Sequence, residues 1–289
     1  MITLPLPYSI VNRFSQNTCE DSVKNKRDRL FFTQLFVPQA SQSSYDRRAE
    51  LDVRLAIPSA QSACGMEDFM KVVDMHCDTI AALYENKEKG WTLQDNRLHI
   101  RLDKMKQGDY LLQNFALFVC TENCEDPYQQ ALTLADCFDR QMAMFPEQIG
   151  QVRCYNDILE NQKNGRMSAL LTIEEGAVCQ GSLEKLREFY DRGVRMLTLT
   201  WNFPNEIGFP NFAISGDGKP DRTVPNTKDG LTEFGFLFLE EMERLGMIVD
   251  VSHLSDAGFY DVASHAKRPF VASHSDARAI CPAVRNLTA

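Results

Sequence analysis

The sequence predicts an α/β fold in which a parallel sheet forms a barrel, and three observations carry that expectation. From Lys71 onward, short apolar runs alternate with stretches of helical periodicity, the pattern of βα units on a parallel sheet. Polar residues of metal-binding type close several of those runs, at the strand ends where barrel enzymes gather their active sites. A length of 289 residues suits one barrel, although two smaller domains would also fit.

Residues 1 to about 65 do not share this pattern. They hold Ser/Gln clusters such as Gln39 to Ser44, a basic cluster of Lys24, Lys26, Arg27 and Arg29, and apolar patches too short to set a period. We read 1–65 as a poorly ordered extension and 66–289 as the barrel domain; a sharper version starts the working protein at Met66 or Met70.

Six runs read as strands: Val72 to His76, Phe115 to Cys120, Ala169 to Glu174, Val194 to Thr200, Met247 to His253, and Phe270 to His274. Between them, several helices have legible boundaries. Asp126 caps one that has Pro127 at its first position and buries Ala131, Leu134, Ala135, Phe138 and Met142. Ser182 caps a second, with Leu183, Leu186, Phe189 and Tyr190 apolar, and Gly193 ends it. A third runs from about Thr232 to Leu245 with Phe234, Phe238, Met242 and Leu245 inward, and Gly246 stops it. The stretch from Asn202 to Asp229, rich in Pro, Gly and Asn, reads as a long functional βα loop.

A formal net charge of −9 offers no basic face for a nucleic acid or an anionic membrane. No run approaches membrane-span length, and the first residues lack the pattern of a secretory signal. Nine scattered cysteines without a Cys-x-x-Cys pair favour reduced thiols and a cytoplasmic setting.

The chemistry begins at His76-Cys77-Asp78. On a strand of period two, the imidazole and the carboxylate share one face, with Cys77 on the other. Alone, the pair is as consistent with a core histidine satisfied by its neighbour. What favours a site is that Glu174 and Glu175, His253 and His274 also close strands, so that candidates from four strand ends meet at one rim. His99, in a polar connection, and His265, in the turn before Pro269, read as structural or exposed. Such a set of imidazoles and carboxylates suits Zn²⁺ or a similar ion, and a glutamate among them could bridge two ions. Alternation alone does not choose between Glu174 and Glu175.

The motifs Asp74-Met75-His76-Cys77-Asp78-Thr79, Ile173-Glu174-Glu175-Gly176, Met196 to Asn202, Gly230 to Gly235, Leu245 to His253 and Ala272 to Arg278 resemble, in order, those of the membrane (renal) dipeptidase family. The resemblance covers residues 70–289. It implies a (β/α)8 TIM barrel of the metal-dependent hydrolase type that binds two zinc ions and hydrolyses small dipeptides through a metal-bridging hydroxide. A D-residue at the C-terminal position is tolerated in the family, and members often form dimers. By motif, one zinc would take His76, Asp78 and Glu174, and the other Glu174, His253 and His274, making Glu174 the bridge. Arg285 matches the arginine that holds the substrate's carboxylate; without the resemblance it reads as a surface residue.

Two departures accompany the match. Trp201 stands where better-known members place a substrate-binding histidine; it could donate an N–H or simply wall the pocket, and Asn202 beside it offers an amide. The family's acid/base aspartate, on the eighth strand, has no counterpart before Ala289, so about six of eight βα units are expected and the barrel reads as C-terminally incomplete. That gap sustains an alternative, a non-catalytic remnant that binds metal or a partner chain. A barrel amidohydrolase for another substrate is a weaker third option, because those more often open with His-x-His.

Overall fold

A computed structural model describes residues 71–216 and 219–288. The expectations about residues 1–65 and the start at Met66 or Met70 lie outside the described residues. Eight strands and seven α-helices are described: β1 Val72–Asp74, α1 Thr79–Glu85, α2 Leu102–Gln107, β2 Tyr110–Phe118, α3 Pro127–Met144, β3 Ile149–Val152, α4 Tyr155–Lys163, β4 Met167–Glu174, α5 Leu183–Arg192, β5 Met196–Thr198, β6 Phe212–Ile214, β7 Pro220–Pro225, α6 Glu233–Leu245, β8 Ile248–Asp250 and α7 Asp256–His265.

The main sheet is parallel, in the order β1-β2-β4-β5-β8, and β3 pairs with the first half of β4. β4 is its spine, buried at all eight positions. Its odd-numbered residues, Ala169, Leu171 and Ile173, join the large cluster under the helices, while Leu170 joins a small inner cluster with Val73, Leu112, Met196 and Val271. Val73 and Val271 belong to opposite ends of the strand order, yet they share that inner cluster, so the sheet curls round upon itself. The half-barrel places Glu174, in step with Leu170, on the inner face, which is the face that alternation could not choose.

Three helix boundaries form as their sequences dictate. The side chains of Asp126, Ser182 and Thr232 accept from the backbone N–H of Gln129, Lys185 and Gly235, while Gly193 and Gly246 close α5 and α6 in the left-handed conformation.

Other elements differ from expectation for local reasons. β1 stops at Asp74 instead of reaching His76, because the Asp74 carboxylate takes the His76 backbone N–H at 3.1 Å and turns the chain. β8 stops at Asp250 instead of His253 in the same way, its carboxylate accepting from the Ser252 N–H at 3.0 Å. The expected strand Phe270 to His274 is reduced to a bridge between Asp250 and Val271. β3 escapes a periodicity reading because only four residues long, with Gly150 and Gln151 at its centre, it shows no alternation. The long loop after β5 contains the antiparallel β6-β7 hairpin.

Helix α6 generates two predictions. Phe238 is fully buried and its neighbour Leu237 is 56% exposed. Phe238→Ala should cost about 3–5 kcal/mol in urea unfolding, and Leu237→Ala about 0.5 kcal/mol or less. Glu241 accepts from Arg244 and, across to α5, from Arg187, each at 2.6 Å. Arg244 first and then Arg187 outweigh burial and hold its carboxyl down to about 2, below the ordinary 4.5. That stabilisation is complete above pH 4.5 and is lost as pH falls toward 2. The stability gap between wild type and Glu241→Gln should therefore close across that window; a gap that stays constant would reject the assignment.

Candidate metal centre

The site lies where β1, β4, β8 and the Val271 bridge end. His76 and Asp78 follow the turn after β1, Glu174 is the last residue of β4, His253 follows the turn after β8, and His274 lies three residues beyond Val271. Sequence separation is large, but the side chains meet. His76 Nε2 is 3.3 Å from Asp78 Oδ1 and 3.3 Å from Glu174 Oε2. The other carboxylate oxygen, Glu174 Oε1, is 3.1 Å from His253 Nε2 and 3.2 Å from His274 Nε2. The His76 and His274 rings stack with centroids 3.9 Å apart, although they belong to opposite edges of the sheet. Glu174 therefore faces imidazoles on both sides, and all five metal candidates named from sequence form one contiguous cluster.

Arg285 reaches the same cluster. Its guanidinium donates to the His274 carbonyl and lies 2.8 Å from His253 Nε2. The sequence alone gave it a surface place, and the structure half-buries it against two of the histidines. Trp201 is a wall: its ring meets Phe118 edge-on at 4.9 Å and lies 6.3 Å from the His253 ring. Asn202 is turned to a different neighbour from the one expected. Its side-chain oxygen is 3.2 Å from His253 Nδ1, so its amide carbonyl holds a histidine. His99 is exposed, and His265 bonds the Asp261 carbonyl on α7, away from the cluster.

Electrostatics follow from this packing. Burial alone would lower His76, but Asp78 and Glu174 outweigh it and carry the ring up to about 10. The three imidazoles hold the Glu174 carboxyl far below the usual carboxylate range in spite of its burial. Burial pushes His253 down, and it lowers Arg285 as well.

The donor chemistry fits a borderline divalent cation. An amide carbonyl only accepts, so the Asn202 contact puts a proton on His253 Nδ1 and leaves Nε2, 3.1 Å from Glu174 Oε1, as the nitrogen turned toward the shared carboxylate. His76, Glu174 and His274 each offer a ligand atom within 4.8 Å of the others. The other nitrogen of His76, Nδ1, is buried without a protein partner. Imidazoles that share a carboxylate are ligands of zinc type once a cation displaces the protons on the facing nitrogens.

Two features show backbone strain that the fold supports. His253 has φ of +67°, a left-handed conformation rare for a side-chain-bearing residue, and its carbonyl is fixed by the Asn211 N–H at 2.8 Å. Glu175, at φ +92°, turns away from Glu174 and ties down the next loop, accepting from Ala177 N, Trp201 N and the Asn205 amide at 3.0, 3.2 and 2.7 Å. Burial raises its carboxyl to about 7. The sequence reading missed this role of Glu175 and also missed Asp250, a wholly buried carboxylate beneath the histidines. An acidic residue inside the apolar run Met247 to His253 was the available signal for the latter.

Residues 61–289 match the family model for membrane dipeptidase, peptidase family M19. An uncharacterised dipeptidase of Schizosaccharomyces pombe is 32% identical over 65% of this chain and 46% of its own length. Dipeptidase 3 of Rattus norvegicus is 31% identical over 78% of this chain and 45% of its own length. The chain thus spans about half the length of these curated relatives. A metallopeptidase from Rhodobacter sphaeroides, solved with a phosphinate mimic of the dipeptide L-Ala-D-Ala, superimposes with a TM-score of 0.65 at 27% identity, covering 75% of this chain and 68% of that one. The crystal structure of the dipeptidase AC, a metallopeptidase, gives a TM-score of 0.66 at 28% identity, covering 75% of this chain and 67% of that one. With a family match across most of its length, the chain belongs to the membrane dipeptidase family of metallopeptidases.

Proposed function

We propose that this chain carries the metal centre of a zinc-dependent dipeptidase that cleaves the amide bond of small dipeptides and accepts a D-residue at the C-terminal position. The observation that carries this reading is the convergence of three imidazole Nε2 atoms on the two oxygens of Glu174. A buried carboxylate with imidazoles on each of its oxygens has the form of a bridge between two cations. His76, Asp78 and Glu174 would hold one ion, and Glu174, His253 and His274 the other. When bound, the ions supply Lewis acidity toward a carbonyl oxygen and lower the pKa of water.

The chain's own residues supply substrate binding and ligand positioning, and none of them is assigned the proton transfer. Arg285 stands beside His253 with a planar fork suited to a carboxylate, so it would anchor the substrate's C-terminal end. Trp201 and Phe118 form an aromatic wall next to the same histidine, which excludes water and receives an apolar side chain. Asn202 keeps a proton on His253 Nδ1, so that Nε2 is the nitrogen that would face the ion. Support for the substrate class comes from the Rhodobacter sphaeroides relative and its dipeptide mimic.

The test combines zinc titration with hydrolysis of L-Ala-D-Ala. Two zinc ions per chain and turnover that disappears on chelation are expected. Glu174→Ala should weaken zinc binding by at least about 100-fold, because it removes a ligand from both halves. Arg285→Lys should leave zinc binding intact while raising KM about 10-fold or more, since Lys cannot reproduce the bidentate fork. A chain that binds no zinc, or hydrolyses the dipeptide after full chelation, would reject the proposal. Binding of zinc without turnover would retain the centre and reject the activity for this chain.

A further inference from the structure

We propose that Asp250 is a positioning residue that decides which nitrogen of His274 carries the proton, acting through the hydroxyl of Ser273. The proposal rests on the reading of His274 as a metal ligand. Asp250 is wholly buried at the end of β8. One of its oxygens, Oδ1, accepts from the backbone N–H groups of Ser252 at 3.0 Å and Ser273 at 2.9 Å. The other, Oδ2, accepts from the Thr198 hydroxyl at 2.6 Å and from the Ser273 hydroxyl. The two sides differ in kind. Backbone amides only donate, whereas hydroxyls can turn and accept.

A hydroxyl has one proton. Ser273 gives its proton to Asp250, so its oxygen meets His274 Nδ1, 2.7 Å away, as an acceptor. The imidazole then holds a proton on Nδ1, and Nε2, 3.2 Å from Glu174 Oε1, is the nitrogen left to face a cation. Ser252 completes the network without reversing it. Its oxygen accepts from the His274 backbone N–H at 3.1 Å, and its own proton points to Ser273 Oγ at 3.3 Å. A buried carboxylate, through one hydroxyl, thus does for His274 what Asn202 does directly for His253.

The asymmetry of Asp250 makes the idea sharply testable. In Asp250→Asn, the fixed backbone donors at Oδ1 require an oxygen, so the new amide nitrogen must occupy the Oδ2 side. There it donates to Ser273 Oγ, and the Ser273 proton turns toward His274 Nδ1. The imidazole proton moves from Nδ1 to Nε2, and that nitrogen must shed it against the hydrogen-bond chain before it can ligate. Shape and volume barely change while the direction of the hydrogen-bond chain reverses. This is the outcome that a packing role would not produce.

The experiment is long-range ¹H–¹⁵N correlation of the histidine rings in the metal-free 289-residue chain, paired with zinc titration against a chromophoric chelator. Wild type should show His274 protonated on Nδ1. Asp250→Asn should show it protonated on Nε2 and bind zinc about 10–100-fold more weakly. Adding Ser273→Ala removes the reversed hydroxyl, so the double variant should regain part of that affinity. If Asp250 only supported packing, the double variant would be the weaker of the two. Thr198→Val removes a partner of the same carboxylate without touching His274 and should leave the tautomer unchanged. If Asp250→Asn fails to fold, Ser273→Ala alone decides, because it should leave His274 as a mixture of tautomers. Wild type protonated on Nε2 alone, an unchanged Nδ1 in Asp250→Asn or Ser273→Ala, or a double variant weaker than Asp250→Asn would overturn the relay. An Nδ1 proton in a wild-type chain that binds no zinc would instead sustain the relay and remove the metal reading.

Discussion

Glu174 brings a carboxylate to the end of a strand that is buried along its whole length, and three imidazoles from other strand ends turn their Nε2 atoms toward it. Burying that many polar groups is tolerable only if each is paired, because an unpaired acceptor in a low-dielectric interior loses several kcal/mol of hydration, about 2–7 by transfer estimates. Much of the surrounding structure answers that demand. Asn202 holds His253, Ser273 holds His274, Asp78 flanks His76, and Arg285 brings a positive group to His253 Nε2. The curl of the sheet follows the same logic, since only a curled sheet can stack His76 from one edge on His274 from the other.

Two aspartates end strands next to the site. Asp74 and Asp250 each accept the N–H two residues on, stopping β1 and β8 short and releasing His76 and His253 from the strand geometry. For His253 the release is pronounced, with a left-handed backbone that a regular strand would not allow. Placement of the candidate ligands thus depends on turns at strand ends as much as on the strands themselves. Glu175 extends this device: beside the shared carboxylate, it binds the loop that carries Trp201 and Asn202.

The sequence made the large features legible because they rest on local rules. Capping residues and terminal glycines marked α3, α5 and α6, and apolar runs marked the spine of the sheet. The ligand candidates were visible because polar residues closed apolar runs. Strand ends were not legible, because whether Asp74 or Asp250 continues a strand depends on its side chain turning back to the backbone. The choice between Glu174 and Glu175 required knowing which face of β4 looks inward, and that is set by packing with Leu170 and Val73. Arg285 was legible only through family resemblance, since nothing local distinguishes it from a surface arginine. The hydroxyl link from Asp250 to His274 joins β8 to a later loop, and no local pattern encodes it.

The claim that unites these observations is that Glu174 lies between two cation sites. Zinc-edge anomalous diffraction from crystals of this chain grown with zinc would test it most directly. The account predicts two peaks about 3.5–4 Å apart, one against His76 and Asp78 and one against His253 and His274, with Glu174 between them. A single peak that bypasses Glu174, or none at these residues, would contradict it.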